Sequence, residues 1–78
     1  MLRIKEKREL RSRLRAARDE LRQLQLSLEE AYGAFNAASD PDILEACILE
    51  IAALRSRYSA ALRNIKTLDG DIIKWQLR

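Results

Sequence analysis

Apolar side chains recur along this chain in steps of three and four residues, without a miss, in two long stripes separated by a single break. The first stripe is Leu10, Leu14, Ala17, Leu21, Leu24, Leu28, Ala31, Phe35 and Ala38. The second is Leu44, Cys47, Ile51, Leu54, Tyr58, Ala61, Ile65, Leu68, Ile72 and Trp75. Alternating steps of this kind keep every member on one side of a slightly under-wound α-helix. A strand, whose side chains alternate with a period of two, does not produce them. The pattern predicts a helix over about 5–38, a turn at 39–42 and a second helix over about 43–76, all in one domain spanning residues 1–78. Extended backwards, the first register places Lys7 and Arg3 on the seam, so the opening turns add little core.

The break, Ala38-Ser39-Asp40-Pro41-Asp42-Ile43-Leu44, contains the only proline. Proline disfavours a helical conformation in the residue before it and is tolerated in the first turn of a new helix. Ser39 or Asp40 can cap that helix by accepting a hydrogen bond from a free backbone N–H. Asp42 and Glu45 place negative charge at the positive end of its dipole. Asp69-Gly70-Asp71 is a possible stop, but Ile72 and Trp75 stay in register beyond it, so the second helix is expected to continue.

Folding the chain back at the break pairs seam positions whose numbers sum to 82. Ala38 then meets Leu44, Phe35 meets Cys47, Ala31 meets Ile51, Leu24 meets Tyr58, Leu21 meets Ala61 and Ala17 meets Ile65. Small repeatedly opposes large, as close interhelical packing requires. On the flanks, Arg11 is expected near Asp69, Arg13 near Asp71, and Lys7 near Trp75 as a cation–π contact. The fold class is all-α: a two-helix antiparallel coiled-coil hairpin, expected to pair into a four-helix bundle. Tyr32, Ile48 and Leu62 fall on one flank beside the seam and are the expected self-association surface, whereas Leu26 and Leu49 face outward. At 78 residues a lone core seldom supplies more than about 3–5 kcal/mol, so a partner is expected from size alone. A homodimer is the simplest; another protein is the alternative.

The stretch Leu28-Glu29-Glu30-Ala31-Tyr32-Gly33-Ala34-Phe35-Asn36, then Asp40-Pro41-Asp42, then Glu50, Leu54, Arg57-Tyr58, Leu62 and Lys66 resembles the YaaL-like family, small proteins of Gram-positive bacteria that form a domain of unknown function. The resemblance covers residues 28–68. Leu49 stands where that pattern often has an aromatic residue, and residues 1–22 and the tail after Leu68 lie outside it. It implies a bacterial cytoplasmic protein, with genes commonly near recombination and sporulation genes, and it implies no activity.

The residues themselves point away from an enzyme. Histidine is absent and Cys47 is the only cysteine, which leaves no Ser/His/Asp or Cys/His arrangement and no Cys/His metal set. The two glycines are 37 positions apart, so no phosphate loop exists. Asp40/Asp42 and Asp69/Asp71 read as a cap and a solvated flank. No catalytic residue, metal or cofactor is expected. Cys47, among Ile43, Leu44, Ile48 and Ile51, reads as a small core residue in a reducing compartment. The start lacks the apolar core of a signal peptide and no run approaches the length of a membrane span. A cytoplasmic protein is expected.

Charge is segregated. Residues 1–22 carry a net +5, residues 23–54 have no Lys or Arg and a net −6, and residues 55–78 carry a net +4. Arg8, Arg11, Arg15, Arg18 and Arg22 recur at helical spacing on one face, and Arg63, Lys66, Lys74 and Arg78 come to the same end of a hairpin. Such a row can bind nucleic-acid phosphates by screened Coulomb attraction without reading sequence, or simply keep the rod soluble. Glu9, Asp19 and Glu20 dilute it and no aromatic side chains interleave it. A membrane-surface role is not expected, because no broad apolar face adjoins the basic one. The same layout also allows the basic end of one hairpin to meet the acidic turn of another. The expected function is therefore protein–protein association, as homodimer or adaptor, with nucleic-acid binding by the arginine face as the alternative.

Overall fold

The computed structural model describes the backbone of residues 4–76 and the side chains of residues 4–73. Two helices account for nearly all of it: α1, Ile4–Ala37, and α2, Pro41–Gln76. They pack along their length into a rod of 57 × 14 × 12 Å. The hairpin and its all-α class are as the stripes predict.

The connection is shorter than the sequence suggests, residues 38–40, because Pro41 and Asp42 already belong to α2. Asp40 is the cap. Its Oδ1 accepts a 2.8 Å hydrogen bond from the Asp42 N–H, and its carbonyl accepts the first helical bond, from Leu44 N–H at 2.9 Å. An aspartate cap of this kind contributes about 1 kcal/mol. Ala38 N–H donates to the Ala34 carbonyl at 3.0 Å, which completes the last turn of α1. The Asp40 cap and Pro41 at the first helical position therefore start α2 directly after the reversal.

The core is the seam. Leu24, Ala31, Leu54 and Ala61 form one buried cluster, supported by Leu21, Leu28, Ile51 and Tyr58. Leu14, Ala17 and Ile65 form another, supported by Leu21, Leu68 and Ile72. Partners expected from the pairing, such as Ala31 and Ile51, Leu24 and Tyr58, or Ala17 and Ile65, fall within the same cluster. Cys47 is buried and unpaired, so its thiol fills a small space beside the turn. Nothing polar is buried among the described residues.

α2 runs through Gly70 without a break. Neither Gly70 nor Gly33 has a positive φ, and a Cβ built at either meets no atom within 4 Å. Both glycines therefore add unfolded-state freedom without a structural need. Gly33→Ala and Gly70→Ala are each expected to stabilise the hairpin by about 0.5–1 kcal/mol, read as a higher urea midpoint at unchanged slope. A loss of stability at either site would mean that something packs there.

Candidate association surface

Each helix of a hairpin has two flanks beside its seam, and here they differ in chemistry. One flank is formed by the residues that follow every second seam position: Ile4, Arg11, Arg18, Gln25 and Tyr32 on α1, and Ile48, Arg55, Leu62 and Asp69 on α2. Antiparallel packing lays these two rows along the same side of the rod. The opposite flank carries Glu6, Arg13, Glu20, Ser27 and Ala34 against Glu50, Arg57, Asn64 and Asp71. Among the described residues only Ile43, near the turn, is a large exposed apolar residue there.

The flank of Tyr32, Ile48 and Leu62 is the apolar one. Tyr32 is 43% exposed and Ile48 55%, while Leu62 is half-buried. All three lie in the half of the rod nearer the turn or at its middle. Ile4 and Ile73 are also exposed on this face, at the free end. Sequence reading passed over both, although the seven-residue spacing Ile4, Arg11, Arg18, Gln25, Tyr32 reveals the first. Leu26 and Leu49 are exposed on the backs of α1 and α2, as their phase predicts, and do not meet.

The described basic residues gather at the expected end of the rod and differ there only in face. Arg8, Arg11, Arg15, Arg18, Arg22 and Lys66 lie on this same face, and all are exposed. Arg11, Arg15 and Arg18 share one shallow depression with Leu14 and Asp19. Arg63 is at the same end of the rod but on the back of α2, two positions before the seam residue Ile65. Lys74 and Arg78, with Trp75 and hence its contact to Lys7, lie outside the described side chains.

The flank ion pair also differs. Asp69 meets Arg18, at 3.7 Å, rather than Arg11. Side chains on a helix lean toward its N-terminus. Asp69 is level with Arg13, so it leans toward the turn, whereas Arg11 leans the other way. Arg18, nearer the turn by five residues, leans back toward Asp69 and closes the gap. Arg13 and Asp71 line the same cleft beside Leu10 without forming an ion pair. Arg22 bonds Asp19, three residues earlier, at 3.0 Å. Both pairs are exposed, so each contributes only about 0–1 kcal/mol, but they moderate the charge of two arginines in the row.

No family model, no curated protein and no solved structure matches the chain significantly. No helix among the described residues is long and apolar enough to cross a membrane.

Proposed function

We propose that this chain is a non-enzymatic helical hairpin that works by protein–protein association, through the flank carrying Tyr32, Ile48 and Leu62, with a homodimeric four-helix bundle as its simplest form. The observation that carries this reading is the surface left wet. The hairpin exposes 6302 Å², whereas a compact monomer of 9.0 kDa exposes about 4,900 Å². The excess, about 1,400 Å², exceeds the roughly 800 Å² that each partner contributes to a standard interface. Among the described residues no side chain is less than 2% exposed, so the seam alone makes a thin core. Packing another hairpin on the apolar flank is the usual way for two helices to gain a second layer. The single thiol, and the YaaL-like resemblance, suit a cytoplasmic setting.

A second reading is favoured by the depression lined by Arg11, Arg15 and Arg18: sequence-independent binding of nucleic acid along the arginine face. It requires affinity that falls steeply with salt. Sedimentation of the pure protein at micromolar concentration, with and without a labelled oligonucleotide and at two salt concentrations, separates the two. The association reading expects a dimer in the absence of nucleic acid. A monomer at every concentration and salt, without or with the oligonucleotide, leaves neither reading standing.

A further inference from the structure

We infer that the partner seated on the apolar flank is a second copy of this chain, lying antiparallel, so that the basic end of each hairpin covers the acidic turn of the other. This rests on the association reading and adds to it the partner and its direction.

The fold converts the segregated charge of the sequence into a polar rod. Residues 23–54 form the turn half, with six carboxylates and no Lys or Arg, and the chain on either side of them is net basic. The rod is 57 Å long, several times the screening length of about 8 Å at physiological salt. Each pole therefore acts on its own neighbour alone. Two copies packed parallel would set like poles together along their length. Packed antiparallel, they set opposite poles together.

The apolar patch fixes how far the copies overlap. An α2 residue is level with the α1 residue whose number completes 82. Tyr32 and Ile48 thus lie near one level and Leu62 is level with Glu20, so the patch is centred at Ser27 and Arg55. A two-fold axis across the rod at that level lays Leu62 of one copy over Ile48 of the other. The same rotation sets α1 on the partner's α1 and α2 on its α2, which lays Lys66 beside the partner's Glu45 and Arg22 within reach of its Glu29. Glu29 and Glu45 are exposed and sit on this same face. One symmetry operation therefore satisfies the apolar patch and both poles, and the arginine row becomes the rim of the dimer interface.

The test is a charge exchange read by sedimentation equilibrium. One variant carries Arg22→Glu with Lys66→Glu, the other Glu29→Lys with Glu45→Lys. All four positions are exposed and outside the seam, and circular dichroism checks that both variants stay helical. Each alone is expected to dimerise about tenfold more weakly than the parent, from several rim contacts turned repulsive. An equimolar mixture is expected to recover to within about threefold of the parent, because both ends are then complementary again. Dimerisation of the parent should weaken from low to high salt. If each variant dimerises as well as the parent, or the mixture gains nothing, the antiparallel arrangement is wrong while association stands. A parent that remains monomeric overturns the association reading itself. A readout independent of charge reversal is cross-linking in a Cys47→Ala background. Arg55→Cys, near the axis, is expected to cross-link to its own copy and Arg15→Cys is not, whereas the reverse result refutes the axis.

Discussion

Leu24→Ala is expected to lower the stability of the hairpin by about 2–4 kcal/mol, a large share of what a domain of this size possesses. Leu24 is the most completely buried of the large core side chains, at 4% exposure, and it sits within the cluster formed with Ala31, Leu54 and Ala61. Two of these neighbours are alanines, which have no flexible side chain to swing into the space, so filling it falls to Leu54 and the partly buried Leu21, Leu28, Ile51 and Tyr58. The helix backbones, each held by its own hydrogen bonds, cannot collapse toward it either. The cost therefore falls within the ordinary range for leucine truncation. Leu26→Ala is the control. It removes the same atoms two residues away, on the back of α1 where Leu26 is 48% exposed, and should shift stability by no more than about 0.5 kcal/mol. Urea unfolding of both variants, compared at equal slope, measures the difference. Equal losses at Leu24 and Leu26 would mean that the back of α1 is itself covered by a partner, which the proposed dimer does not allow.

The seam was readable because a heptad repeat encodes two things at once. Its period sets the helix, and its small-against-large order sets the register: Ala17 needs Ile65, and Ala31 needs Ile51, only if the chain reverses at Asp40-Pro41. The continuation of α2 through Gly70 follows from the same rule, since Ile72 stays in phase and the packing on it outweighs a glycine's modest helix penalty. The flank ion pair was misplaced for an identifiable reason. Pairing Arg11 with Asp69 treats residues as points on a wheel, and omits the lean of side chains toward the helix N-terminus that selects Arg18. The turn ends at residue 40 rather than 42, because a proline tolerated in the first turn of a helix can also be its first residue. What the arginine row does lay beyond the sequence for a different reason. Spacing places Arg15 and Arg22 on one face, but it does not say what faces them. Only the antiparallel fold shows that Glu29, Glu45 and the apolar patch occupy that same face.

The two flanks differ in what they can contribute. Beside Glu20, Asn64 and Arg57 the surface is polar and lined with alanines such as Ala60, and water there loses little by staying. Beside Tyr32, Ile48 and Leu62 each side chain has apolar area still to bury, at about 25 cal/mol per Å². Full burial of one such side chain is worth about 1.5–3 kcal/mol, and a two-fold dimer buries every one twice. In the proposed dimer a charged rim would add less energy than this, but it would penalise the wrong direction, because like poles would be held together over the length of the rod.

Tyr32→Glu combined with Leu62→Glu is therefore expected to lower the melting temperature by about 10–20 °C at protein concentrations near a hundred times the dimer dissociation constant. At that concentration binding adds about 2.7 kcal/mol to the folded state, and a domain of this length shifts by about 4–8 °C per kcal/mol. The parent's melting temperature should rise with protein concentration, since dilution removes this contribution, and that of the double variant should not. Leu62 is half-buried, so a charge there also weakens the hairpin itself. Dilution separates the two effects. Well below the dissociation constant the parent has no partner to lose, and the remaining gap between parent and variant measures the folding cost alone. If the full gap survives dilution, Tyr32 and Leu62 act only within one hairpin. If it closes with dilution, the stability of this fold depends on how much of the protein is present, and the thin seam is sufficient only because a second copy completes it.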